Sequence, residues 1–189
     1  MNIRFNYASL LLLMLLSVTG HAQEVAGATL PEQVKLADTT LKLNGAGIRS
    51  KFFFDIYVGA LYLPQITKDA ETAINMPGPK RVLMHFLYKE VSRKNLIDGW
   101  SDGFKNNLSG EQFKALKAKL EAFNQLFVTV KRGDHITLDY LPETGTRVSI
   151  NEQIKGSIPG KAFYPALLRV WLGEEPADSD LKEAMLGNE

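Results

Sequence analysis

Apolar residues crowd most densely between Leu41 and Pro64, in LKLNGAGIRSKFFFDIYVGALYLP. Leu41 and Leu43 alternate with Lys42 and Asn44, which predicts a short strand. Gly45-Ala46-Gly47 then predicts a tight turn or a bulge. From Phe52 to Leu63 the run is apolar on both sides of a period of two. Phe52, Phe54, Ile56, Val58, Ala60 and Tyr62 share one face; Phe53, Asp55, Tyr57, Gly59, Leu61 and Leu63 share the other. A strand apolar on both faces has to be covered on both, so this one is predicted to be central.

The remaining elements read as its neighbours and cover. Val34 to Leu36 predicts a short strand, and Lys68 to Met76 a brief helix stopped by Pro77-Gly78-Pro79. Arg81 to Tyr88 alternates as the next strand. Ser92 is placed to cap a helix whose apolar stripe is Leu96, Trp100, Phe104 and Leu108. Ser109 with Gln112 forms a capping-box pattern opening a second helix, with Phe113, Leu116, Leu120 and Phe123 as its buried stripe. One strand through Ile136, Leu138 and Tyr140 and another through Val148, Ile150 and Ile154 flank a Pro142–Gly145 turn. Gly156 to Gly160 reads as loop, Lys161 to Leu172 as a helix, and Ser179 to Leu186 as a short terminal one. Strands come in runs between helices, so the class is α+β: a mainly antiparallel sheet with helices on one face.

The N-terminus changes the picture. Arg4 is its one charge, Ala8 to Val18 is an apolar core, and Gly20-His21-Ala22 is a small-x-small site. This is the pattern of a secretory signal peptide cut after Ala22. The run falls short of the about 20 residues that span a bilayer, so a retained anchor is the lesser alternative. The expected organisation is a signal peptide over 1–22, a flexible lead-in over 23–33, and one domain over 34–187. After cleavage 21 Lys and Arg face 21 Asp and Glu, with no basic stripe. No nucleic-acid partner and no stable membrane insertion are expected. The chain has no cysteine, so stability rests on packing and no thiol chemistry is available.

Motif chemistry is sparse. His85 and His135 lack zinc-site spacing, and no metal or cofactor is expected. There is no nucleophile elbow and no phosphate loop. Asp98 and Asp102 lie one helical turn apart, as polar helix faces commonly show. Three candidates remain. Arg49 meets apolar surface and needs a partner, in a strand-end ion pair or a ligand. Tyr57 reads equally as a core aromatic with a bonded hydroxyl. Lys94, in the first turn of a helix, would ordinarily be solvated.

Asn44-Gly45-Ala46-Gly47-Ile48-Arg49 followed by Val58-Gly59-Ala60-Leu61-Tyr62-Leu63 resembles the signature of the chalcone isomerase-like family, in its bacterial exported branch. LRVWLGEEPADSDLKEAML, from Leu168 to Leu186, resembles the family's C-terminal motif. The resemblance implies an open-faced β-sandwich of chalcone isomerase type, a large antiparallel sheet backed by a layer of helices with a cleft between. It also implies a periplasmic location. Arg49 matches the arginine that holds the flavonoid substrate, and Lys94 matches the cleft lysine. Tyr57 stands at the threonine position, Val91 at the tyrosine, Asp98 at the asparagine and Val170 at the last cleft hydroxyl. Valine cannot donate or orient a proton, so chalcone cyclisation is not expected. In the non-catalytic, fatty-acid-binding relatives, the same arginine works with a tyrosine at the threonine position, and Arg49 with Tyr57 fits that pair.

Three readings follow. The first is a periplasmic carrier or sensor of a small amphipathic carboxylic acid such as a fatty acid, with Arg49, Tyr57 and Lys94 as ligand-binding residues. The second is an isomerase or intramolecular lyase on another substrate, with Lys94 as acid or base if burial depresses its pKa. The third is a structural or interaction protein, Arg49 being an internal ion pair.

Overall fold

The computed structural model describes residues 22–188. The signal-peptide reading falls almost wholly outside that range. The chain starts with strands β1 (Ala22–Val25) and β2 (Ala28–Pro31), an antiparallel hairpin. This corrects the expected flexible lead-in. Ala28 and Leu30 are buried in an apolar layer with Leu41, Val58, Ala60 and Tyr62. Burying such side chains contributes about 1.5–3 kcal/mol each for the larger ones, which tethers the segment.

The main sheet is antiparallel throughout. It comprises β3 (Gln33–Leu36), β4 (Thr39–Lys51), β5 (Phe54–Leu63), β6 (Lys80–Phe86), β9 (His135–Leu141), β10 (Gly145–Ile150) and β11 (Gln153–Ile158). Their spatial order is β11-β10-β9-β6-β5-β4-β3. The small strands β7 (Glu90–Val91) and β8 (Val130–Lys131) pair separately. Helix α1 (Ala70–Asn75) is capped by Asp69. Helix α2 (Arg93–Asn107) is capped by Ser92, and α3 (Gly110–Asn124) by the expected Ser109–Gln112 box. Helices α4 (Phe163–Leu172) and α5 (Ser179–Met185) complete the cover.

The strand through Tyr57 is central, as its pattern requires, with β4 and β6 on either side. Its inner face sends Tyr57, Leu61 and Leu63 into the larger core, where Trp100, Phe104, Phe123, Phe163 and Trp171 come from the helices. Its outer face sends Val58, Ala60 and Tyr62 toward the N-terminal hairpin.

Three local expectations narrow or change. Of the tight turn or bulge expected at Gly45-Ala46-Gly47, the bulge is what forms: β4 runs through the glycines without a turn, with a register shift between Leu43 and Gly45. Here α5 lies directly on the strand. A Cβ on Gly45 would collide with the Ala184 carbonyl oxygen, and one on Gly47 would sit 2.5 Å from Ala184 Cβ. The bulged Asn44 donates to the carbonyls of Met185 at 2.8 Å and Thr67 at 3.0 Å, locking the helix end to the strand. The turn falls instead at Phe52-Phe53, between cross-strand partners Lys51 and Phe54. Both turn side chains are in solvent, so the apolar run reaches beyond the buried strand. Finally, Asn151 and Glu152, both at positive φ, split the last predicted strand into β10 and β11. Strand β11 (Gln153–Ile158) therefore keeps Ile154 in a strand and runs on into residues 156–158, expected to be loop.

Candidate functional site

Along the inner face of β4 the order Gly45, Gly47, Arg49 is dictated by period-two alternation. The glycines accept α5. Arg49, next in line, projects from the same face beyond the helix start. Asp178 caps α5 by accepting from the Leu181 amide at 3.0 Å, and it also accepts from the Ser50 amide at 3.1 Å. The helix is thereby fixed to the residue beside Arg49.

Arg49 lies directly across the sheet from Tyr57, with its guanidinium carbon 5.7 Å from the ring centroid. Its Nε is shielded from solvent and has no hydrogen-bond partner. No carboxylate among the described residues comes within ion-pair distance of it. The strand-end ion pair is therefore not formed. An unsatisfied buried donor costs about 1–3 kcal/mol, more for a charged group.

Tyr57 is buried, and its hydroxyl oxygen accepts from Trp171 Nε1 at 2.9 Å. Burial raises its pKa above the ordinary phenol value, outweighing the lowering by the Arg49 charge and the Trp171 bond. The group is thus a neutral phenol at physiological pH. Its oxygen is held by the indole, which leaves the O–H proton to donate.

Arg49 and Tyr57 line a cleft of about 620 Å³ between sheet and helices. Ligand pockets commonly enclose about 300–1,000 Å³. Ile56, Met84 and Phe86 form apolar wall from the sheet; Leu96, Trp100 and Val170 form it from the helices. Trp100 Nε1 is a second buried donor without a partner. The lining contains two cations, Arg49 and Lys51, and four carboxylates, Glu90, Asp98, Asp102 and Glu175. Among the described residues no group of three His, Cys, Asp or Glu converges to hold a metal.

Lys94 is not brought to this site. Its side chain is 81% exposed, bonded to Asp98 at 2.6 Å, and it does not line the cleft. The Asp98 bond raises its pKa, opposite to what an acid–base lysine at neutral pH requires. The polar face of α2 carries it outward, as the first-turn position alone implied. Val91, Asp98 and Val170 do line the cleft. Two members escaped the sequence reading. Trp171 sits within the C-terminal motif, and only the packing of α4 against the sheet shows that its indole meets Tyr57. Trp100 looked like any other residue of an apolar helical stripe.

The sequence model of the chalcone isomerase-like family matches residues 22–187. Among curated proteins, no sequence match is found. Among solved structures, the chain is similar to the crystal structure of a fatty-acid binding protein of Arabidopsis thaliana, with a TM-score of 0.68 at 16% identity. The match covers 89% of this chain and 97% of the plant one. At that identity the likeness shows the fold: a large antiparallel sheet backed by helices. With a family model that matches nearly all of the described residues, the chain belongs to the chalcone isomerase-like family.

Proposed function

We propose that this protein binds a small amphipathic carboxylic acid, a fatty acid being the type, without transforming it. The observation that carries this reading is the half-buried Arg49, whose solvent-shielded Nε has no partner, at a cleft with apolar walls from the sheet and the helices. A carboxylate would accept from its planar fork in bidentate fashion, and the Tyr57 hydroxyl would add a third donor. The acyl chain would lie against Met84, Phe86, Trp100 and Val170. Each buried methylene of such a chain contributes about 0.8 kcal/mol. The plant neighbour, described as a fatty-acid binding protein, supports the same reading.

Catalysis is the weaker account because the cleft lacks the parts. Val91 and Val170 occupy positions where the flavonoid enzyme is expected to hold a phenol and a hydroxyl, and both line the cleft. Lys94 points elsewhere. We further propose that residues 1–22 direct export to the periplasm and are removed there, placing the carrier where acyl chains pass between membranes.

Native mass spectrometry of protein purified from the periplasm tests the reading. The expected result is an adduct whose mass, after release, matches a long-chain carboxylic acid. The adduct should be absent from Arg49→Ala. Ligand-free protein that also fails to take up added fatty acid would reject the proposal, and protein retaining Met1 to Ala22 would reject the export assignment.

A further inference from the structure

We infer that the β4–β5 hairpin tip is an interfacial anchor that docks the cleft mouth onto a lipid surface with anionic headgroups. Phe52 is 87% exposed, Phe53 99% and Phe54 55%. Three consecutive phenylalanines in water are costly unless something covers them, since exposed apolar clusters mark interaction sites. Phe52 and Phe53 make the two-residue turn, and Phe54 opens β5.

The turn itself supplies a second observation. Phe52 has φ +58°, the left-handed region where glycine is favoured and a bulky side chain is strained. Glycine, asparagine or aspartate would serve the turn better. The local structure therefore gives no reason for phenylalanine there, whereas burial of the ring in a partner phase does.

Charge and position identify that phase. Lys51 opens the turn, and Lys89 follows Tyr88, whose ring meets Phe54 edge-on at 5.4 Å. Neither lysine has an ion-pair partner among the described residues. Of the nearby acids, Asp55 accepts from the Ser50 hydroxyl at 2.8 Å, while Glu90 lines the cleft behind the tip. Aromatic rings flanked by lysines suit the headgroup region, with rings entering the acyl boundary and ammonium groups meeting anionic lipids. Lys51, Phe52, Phe54 and Tyr88 also line the cleft, so the docked surface is continuous with the acid-binding walls. Transfer of an acyl chain through this mouth rests on the proposed function; docking does not.

Phe53→Trp places an indole reporter at the tip, against a background from the buried Trp100 and Trp171. Protein expressed from the whole sequence is mixed with vesicles of phosphatidylethanolamine and phosphatidylglycerol, with and without acyl-chain bromination. The expected result is a blue shift and bromine quenching of the added indole. Both should fall at least about fivefold with Phe52→Gly in the same background, and both should weaken in vesicles of phosphatidylcholine alone or at high salt. Because Phe52→Gly relieves the turn, its melting temperature should not fall, so lost quenching would not reflect misfolding. An indole that stays water-like and unquenched, including when vesicles capture the protein through its N-terminal apolar run, overturns docking. Concentration-dependent dimers with no quenching would likewise overturn it and assign the tip to a second copy of this chain. Fatty-acid titration on the same samples separates the two claims: docking can persist with no acid bound, and binding can persist with no docking.

Discussion

On the outer face of the sheet, Arg81 and Arg147 close on Asp139, a carboxylate only 1% exposed. The N–O distances are 2.6 and 2.9 Å from Arg81 and 2.8 Å from Arg147. On the inner face Arg49 meets no carboxylate; its Nε lacks a partner, as does that of Arg147, so the contrast lies in the absent carboxylate. All three are strand arginines. The first pair is aligned by register, since Arg81, Asp139 and Arg147 stand directly opposite one another across β6, β9 and β10. Opposite charges so placed stabilise strand pairing. Arg49 instead stands opposite Tyr57, a group that can donate alongside it but cannot neutralise it. An arginine whose partner is in the chain is architecture; one facing a cleft without a carboxylate is, in the function proposed above, the receptor for an anion.

The contrast can be broken most forcefully at Asp139. Replacing it with alanine leaves two guanidinium groups facing each other. The expected loss is about 3 kcal/mol or more, a drop of roughly 6–12 °C in melting temperature. Acid affinity in the folded fraction should be unchanged. An unaltered melt would show that the outer triad holds nothing together, and the distinction would lose one side.

Tyr57→Phe sharpens the other side. It removes one donor to the bound carboxylate and should weaken affinity by about 0.5–1.5 kcal/mol. It also leaves the Trp171 N–H without its acceptor, so a small fall in melting temperature should accompany it. Unchanged affinity in a calorimetric titration would take the phenol out of the site.

Lys80 offers the mildest test, as a buried cation satisfied by neutral carbonyls. Its Nζ donates to Ile74 O at 2.8 Å at the end of α1, and burial lowers its pKa to about 8. The folded state therefore releases the proton first. Between about pH 8 and the ordinary lysine value the unfolded chain binds more protons, so stability should rise with pH across that window. Below it, the penalty of burying the ammonium is fully present. Lys80→Met should flatten the slope measured by denaturant titration at several pH values; an unchanged slope would assign it to other groups.

Much of the fold is written locally. Helices α2 and α3 begin where Ser92 and Ser109 offer caps, because a missing side-chain acceptor at those points would leave amides unsatisfied. The central strand is legible from its two apolar faces. What failed locally was decided by tertiary contact. Gly45 and Gly47 look like a chain break, and only the arrival of Ala184 explains them as a seat for α5. The Phe52-Phe53 turn carries none of the usual turn residues, so alternation ran through it. Residues 23–33 look unattached until the outer face of the sheet is seen to need Ala28 and Leu30. The site was half legible. Arg49 and Tyr57 follow from motif resemblance and stand together by register. Lys94 followed from the same resemblance, but the solvated face of its helix prevailed.

The central claim is that Arg49 is a carboxylate receptor and not part of the framework. Titration calorimetry of a fatty-acid series against wild type, Arg49→Ala and Arg49→Lys, with thermal melts of each, tests it most directly. Arg49→Ala should lose at least about tenfold in affinity, the equivalent of roughly 1.5–3 kcal/mol for a charge-assisted bond, while melting no lower than wild type. Arg49→Lys should recover only part of the loss, since an ammonium lacks the planar fork. Equal affinity for wild type and Arg49→Ala, or a melting temperature that collapses while affinity holds, would contradict the account.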